Sequence, residues 1–246
     1  METTTDAPSF ARSRRPQRQA DPAEIWGPLP SLTDAAVAAA GSGTVAINRA
    51  FDRNSRQRGK ALRDLLDERG VTAVEVTAAS GAELPATESP ITAVVNLTGA
   101  GSWQPYRLAA KAQAPVLTPK PVDGPADEVS RNVIAMAAED GRRDVALSHV
   151  ALRSECPAES TLTVEHDGEA LSVPGGWVSL TVTDEGLRIE VGGTGEEPRT
   201  LTTRQARVEA FGARHLLVRD ELPIADFEDR SLTLTAEAGG LVVRPV

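Results

Sequence analysis

Between residues 44 and 139 the apolar positions alternate between short unbroken runs and stretches with helical spacing. Residues 44–48 (Thr-Val-Ala-Ile-Asn) form a run of the length of a buried strand. Residues 55–69 carry Ala61, Leu62, Leu65 and Leu66 on one helical face, with Gly70 as the stop. Lys60 with Asp64, and Arg63 with Asp67, stand at i,i+4 on the wet face. Further strands are predicted over 72–77, 93–97 and 114–118. Shorter helices are predicted over 33–40, with Ser31 or Thr33 as N-cap and Gly41 as stop, and over 103–112, interrupted at Pro105. A last helix is predicted over 127–139, with Val129, Val133, Ile134 and Ala137 inward. Strands alternating with helices imply a parallel sheet in three layers.

After Gly141 the period falls to two. Residues 144–152 alternate as one strand, and strands follow over 161–165, 178–183, 187–191, 206–210, 216–219, 231–236 and 241–243. Turn signals separate them: His166-Asp167-Gly168-Glu169, Asp184-Glu185-Gly186 and Ala238-Gly239-Gly240. The Asp-Gly pair at 167–168 predicts a tight hairpin. The fold class expected is therefore an α/β N-terminal half, three-layered on a parallel sheet, followed by an all-β sandwich half. The expected division is a disordered tail over 1–24, an α/β Rossmann-like domain over 25–143 with Trp26 packed on it, and a β-sandwich domain over 144–246.

Composition narrows the function. The 246 residues are 40% apolar but only 3% aromatic, so Val, Leu, Ala and Ile must fill the core. Arginine far outnumbers lysine and alanine is abundant, a bias typical of a GC-rich bacterial genome. A net charge of −9 disfavours nucleic acid as a partner and, more weakly, anionic membranes. The Arg-rich tail (Arg12, Arg14, Arg15, Arg18) reads as a solvated segment. One cysteine excludes an internal disulfide, and the three dispersed histidines form no zinc pattern, so no metal ligands are assigned. No apolar run reaches transmembrane length, and no apolar stretch follows the N-terminal arginines as a secretory signal requires. The expected location is the cytoplasm. Gly-x-Ser-x-Gly is absent, which leaves no nucleophile elbow. Gly41-Ser42-Gly43 precedes a strand and is no dinucleotide fingerprint. Cys156 lies before Pro157 between two glutamates, a poor setting for a nucleophile.

One loop carries candidate chemistry. Thr98-Gly99-Ala100-Gly101-Ser102 follows the run Ile91-Thr92-Ala93-Val94-Val95 and precedes a helix. Glycines at a strand-to-helix turn let backbone N–H groups approach a phosphate. The loop holds no acidic side chain for Mg²⁺ and no lysine for a phosphate. Thr98, Gly99, Ala100, Gly101 and Ser102, with Asn48 at the end of the first strand, are the candidate phosphate- or nucleotide-binding residues. The bland alternative is a βα turn in which glycine serves geometry alone. Lys111 and Lys120 read as ordinary solvated lysines.

The order of these patterns resembles the diacylglycerol kinase and NAD kinase superfamily. Ile47-Asn48-Arg49-Ala50, Arg58-Gly59-Lys60-Ala61-Leu62 and Arg69-Gly70 are similar to its opening strand, Asn-Pro loop and helix. Gly141 to Val150 is similar to the G-x-x-R-x-x-D-L-x-x-V passage into its β domain, and Leu241-Val242-Val243-Arg244-Pro245 to its last strand. The resemblance covers residues 44–246 and rests on the order of these motifs and of the two halves. The departures are specific. The family's Gly-Gly-Asp-Gly-Thr loop falls on Thr98 to Ser102, with Ala100 in place of the aspartate. Its Pro-x-Gly-Thr element falls near Pro119-Lys120-Pro121 without Gly-Thr. Its proline after the opening Asn is Arg49. Its Asp-Gly-Glu turn falls on Arg219-Asp220-Glu221, so Asp220 and Glu221 are the surviving candidates for a catalytic acidic pair.

Phosphoryl transfer depends on positioning and charge neutralisation, and Ala100 supplies no metal anchor. The resemblance therefore implies a lipid kinase-like protein that has lost catalysis and acts as a ligand-binding or regulatory module, leaning against an enzyme. Two alternatives stay open: an active ATP-dependent lipid kinase with a rewired site, and a structural or interaction protein. ATP with Mg²⁺, held weakly, is the cofactor implied. A small phosphate compound or lipid head group is the implied ligand, and a second copy or another protein is the alternative partner.

Overall fold

The computed structural model describes residues 29–77, 83–98, 102–119, 127–193, 197–212, 214–224 and 231–246. The predicted tail, Trp26, Lys120 and the loop residues Gly99, Ala100 and Gly101 lie outside the described residues. Helix α1 (Leu29–Ala40) leads into β1 (Thr44–Arg49), α2 (Arg53–Glu68), β2 (Ala73–Thr77), β3 (Ile91–Leu97), α3 (Gln104–Ala112) and β4 (Val116–Thr118). Strands β1 to β4 are parallel in the order β2-β1-β3-β4. Helices α1 and α2 bury Leu32, Ala36, Leu62 and Leu66 on one face of this sheet, against Val45, Ile47 and Val95. Helix α3 buries Leu108 and Ala109 on the other, against Ala46, Val94 and Val116. The three layers follow from the strand order. β1 passes to β2 in one direction and β3 to β4 in the other, and right-handed crossovers then put α2 and α3 on opposite faces.

Three local expectations change. Helix α1 begins at Leu29, ahead of both proposed caps; the Thr33 hydroxyl instead donates to Leu29 O at 2.8 Å inside the first turn. Pro105 starts α3 and does not interrupt it, because the first turn needs no N–H there. Residues 127–139 are not helical: β5 (Val129–Ala138) is a strand antiparallel to the last strand. Val133 packs beneath α3 while Ile134 and Met136 enter the sandwich core, so both faces of β5 are buried. A strand buried on both faces loses its period of two and cannot be told from a helix by spacing.

The remaining strands are β6 (Arg143–Ala146), β7 (His149–Ser154), β8 (Ser160–His166), β9 (Glu169–Pro174), β10 (Trp177–Val182), β11 (Leu187–Gly192), β12 (Arg199–Thr203), β13 (Gln205–Gly212), β14 (His215–Arg219), β15 (Leu222–Ile224) and β16 (Ser231–Pro245). The single strand expected over 144–152 is two, broken at Leu147-Ser148, where the chain leaves one sheet for the other. The two strands expected at the C-terminus are one. β16 keeps pairing with β5 through a bulge between Glu237 and Leu241, where Gly239 has φ +64°. Asp167 and Gly168, both at positive φ, form the predicted hairpin turn between β8 and β9.

β7, β10, β11, β12, β14 and β15 form a six-stranded antiparallel sheet. Its inner residues, among them Leu152, Leu180 and Ile189, meet Leu162, Val208 and Leu234 from β8, β13 and β16. This is the predicted sandwich. The α/β sheet runs directly into it, because β4 pairs with the end of β16 (Val116 with Val243) in one ten-stranded sheet.

Candidate functional site

Parallel sheets present their ligand crevice at the carboxyl ends of the strands, where the strand order reverses. Here the reversal lies between β1 and β3, so topology alone points to Asn48 and to the segment after Leu97. Asn48 lies beside Asn96 in register. Asn96 Oδ1 accepts from both Thr98 N (2.9 Å) and Thr98 Oγ1 (2.7 Å), which turns the chain sharply at the head of the glycine loop. Asn48 is fully buried, yet neither its Nδ2 nor its Oδ1 has a partner among the described residues. A buried amide without partners costs free energy that an apolar side chain would not. Ser102 is half-buried at the entry to α3, whose first turn carries no side-chain cap from Trp103.

On the other side of the crevice stands α2. Its N-cap, Asp52, accepts from Ser55 N at 2.9 Å, and these hydrogen bonds hold the Asp52 carboxyl below the usual aspartate range. Arg58, one turn beyond Ser55, buries Nε and Nη2 without partners among the described residues, and burial lowers its pKa. The carboxylates nearby are committed. Asp52 caps its helix, and Glu75 is held by Arg49 Nε at 2.6 Å and Arg63 Nη1 at 3.0 Å. Among the described residues no group of three or more acidic, histidine or cysteine side chains could hold a metal ion.

The candidate acids Asp220 and Glu221 form the two-residue turn between β14 and β15, both at positive φ (+47° and +67°). Asp220 is saturated. It accepts from Leu147 N (2.9 Å), Ser148 N (2.9 Å), His149 N (3.1 Å), Ser148 Oγ (3.2 Å) and Arg107 Nη2 (2.7 Å). Burial pushes its pKa up, but the hydrogen bonds from Leu147, Arg107, Ser148 and His149 outweigh it and leave the carboxyl below its ordinary value. Asp220 thus clamps the Leu147-Ser148 break and ties the sandwich to α3. Sequence reasoning missed its partner Arg107, which is 1% exposed and stacks on Trp103, its guanidinium carbon 3.8 Å from the ring centroid. Arg219 pairs with Asp144, which also meets Lys111 at 3.3 Å. Burial, then the neighbouring Arg107 charge, lowers the pKa of Arg219 to about 10. Lys111 is lowered by burial first and by Arg219 next. Lys111 is therefore engaged in an ion network and is not a free phosphate contact. The i,i+113 separation of Arg107 and Asp220 left no sequence signal for the pair.

No family model matches the chain, and no curated protein matches it. Among solved structures, an NAD kinase from Archaeoglobus fulgidus in complex with ATP aligns over 81% of this chain and 92% of its own, at 13% identity and a TM-score of 0.43. Yeast NADH kinase complexed with NADH aligns over 83% of each chain, at 12% identity and a TM-score of 0.46. Among the described residues no helix is long and apolar enough to cross a membrane.

Proposed function

We propose that this chain is a lipid kinase-like protein of the diacylglycerol kinase and NAD kinase type that binds a phosphate compound without transferring its phosphoryl group, as a binding or regulatory module. The observation that carries the reading is Asn48: a fully buried amide, without a partner among the described residues, at the topological switch point. Donors of the kind that hold an anion are also present in the uncapped start of α3, which follows the carboxyl end of β3, and in the buried guanidinium nitrogens of Arg58 that have no partner among the described residues. Loss of catalysis is supported by the state of the acids. Ala100 replaces the aspartate of the resembled loop, Glu75 and Asp52 are committed, and Asp220 has no lone pair to spare for a proton in transit. Phosphoryl transfer without a metal anchor or a free base loses its main sources of rate.

Titration calorimetry with ATP, with and without Mg²⁺, tests this. Binding of the intact chain should be weak, on the order of millimolar, which corresponds to about −4 kcal/mol. Mg²⁺ should add little, and Ala100→Asp should make binding Mg²⁺-dependent. A radiolabel transfer assay with diacylglycerol should give no turnover. Turnover that disappears in Gly99→Val would establish the active-kinase alternative. No heat with any phosphate compound would reduce the loop to a turn and leave the interaction-protein reading.

A further inference from the structure

Helix α3 carries one residue that its packing does not ask for. Its inward positions 108–110 are Leu-Ala-Ala, yet Arg107 beside them is fully buried as well. A buried guanidinium is costly, and apolar residues in place of a buried ion pair often leave stability unchanged or raise it. Stability therefore does not account for Arg107, whose Nε and Nη1 lack partners among the described residues. Two contacts use different parts of the group. Its flat face lies on the Trp103 ring, 3.8 Å from the centroid, and its in-plane Nη2 donates to Asp220 at 2.7 Å. Trp103 stands where α3 begins, directly after Ser102, and its carbonyl accepts from Arg107 N at 3.0 Å. Asp220 in turn accepts from the consecutive backbone N–H groups of Leu147, Ser148 and His149, where the chain passes from one sheet to the other. One planar group thus joins the start of α3, at the crevice, to the junction of the two halves. Gln104 ties the same end of α3 to the opposite flank: its Nε2 donates to Thr77 O, at the end of β2, at 3.0 Å.

We infer that Arg107 is a positioning residue, which couples what occupies the start of α3 to the fold of residues 147–149. The coupling follows from planarity. Tilting the Trp103 ring tilts the guanidinium stacked on it and draws Nη2 off Asp220. A lysine ammonium has no plane, so it would pair with Asp220 without following the ring. The coupling runs both ways, since a ligand that orders the junction is held more tightly by a chain whose junction is already ordered. The inference rests on the crevice reading for its ligand alone; the link from Trp103 to residues 147–149 stands without one.

Amide hydrogen exchange of the full chain, resolved by residue, tests both arms. Without ligand, Trp103→Leu should speed exchange at residues 147–149 about tenfold, although it leaves their acceptor Asp220 in place. Gln104→Ala, which frees the same end of α3 from β2, should leave that exchange unchanged. With ATP at a concentration that saturates the heat of binding, exchange at residues 147–149 should slow severalfold in the parent. In Arg107→Lys, ATP should still bind but no longer slow it. Should that variant fail to fold, Arg107→Met carries the same expectation. Unchanged exchange at residues 147–149 in Trp103→Leu would overturn the coupling. So would equal speeding in Gln104→Ala, which would mark a general loosening of α3, or equal slowing by ATP in the parent and in Arg107→Lys. If the parent gives no heat with ATP, the crevice reading fails, and the ligand-free arm alone decides the coupling.

Discussion

Replacing Asp220 by alanine separates a structural acid from a catalytic one. The substitution removes the sole ion-pair partner of Arg107 among the described residues, whose guanidinium is 1% exposed and already has Nε and Nη1 unpartnered. It also takes the acceptor from three consecutive backbone N–H groups at the Leu147-Ser148 break. Breaking one partner of a buried ion pair costs about 3–5 kcal/mol. Ser148 is exposed, so water replaces part of the loss there, and we expect a net destabilisation of about 4 kcal/mol. With a urea m-value of about 2–3 kcal/mol/M, the midpoint should fall by about 1.3–2 M. Adding Arg107→Met removes the orphaned charge, so the double variant should be more stable than Asp220→Ala alone. The pH dependence has a fixed sign. The folded-state pKa of Asp220 is depressed, so its contribution is complete above the unfolded value of about 3.9 and is lost as pH falls through the folded value. The gap between parent and variant should therefore close in acid. A parent and Asp220→Ala variant that unfold within 1 kcal/mol of each other at neutral pH would refute this reasoning. That result would return Asp220 to the list of available acids.

Asn48→Val should raise stability by about 1–2 kcal/mol in urea unfolding, because it removes a buried amide that has no partner among the described residues, and should abolish calorimetric binding of phosphate compounds. Gain of stability with binding retained would exclude Asn48 from the site. Glu221→Gly should stabilise by about 1 kcal/mol, measured the same way, since glutamate occupies the second turn position at φ +67°; a loss would mean that its side chain does work in the folded state. Asp52→Ala should cost about 1 kcal/mol through the lost N-cap of α2, with thermal unfolding as the readout.

Much of the fold was legible because it is local. The apolar face of α2 and the runs of β1 and β3 follow from period alone, and the Asp167-Gly168 turn from its dipeptide. So was the loop after β3, because a strand, glycines and a helix are adjacent in the chain. β5 was not legible, because burial on both faces erased the alternation that marks a strand. Nor were β6 and β7, whose division at Leu147-Ser148 is made by Asp220, 72 residues away from Ser148. The sequence by itself determined the two textures, their order and the position of the glycine loop, since each is a property of neighbouring residues. Only the tertiary structure decided that Asn48 has no partner among the described residues, that Asp220 is spent on a clamp, and that β4 and β16 fuse the two halves into one sheet. These depend on which distant side chains arrive at the same point, and spacing along a chain does not encode that.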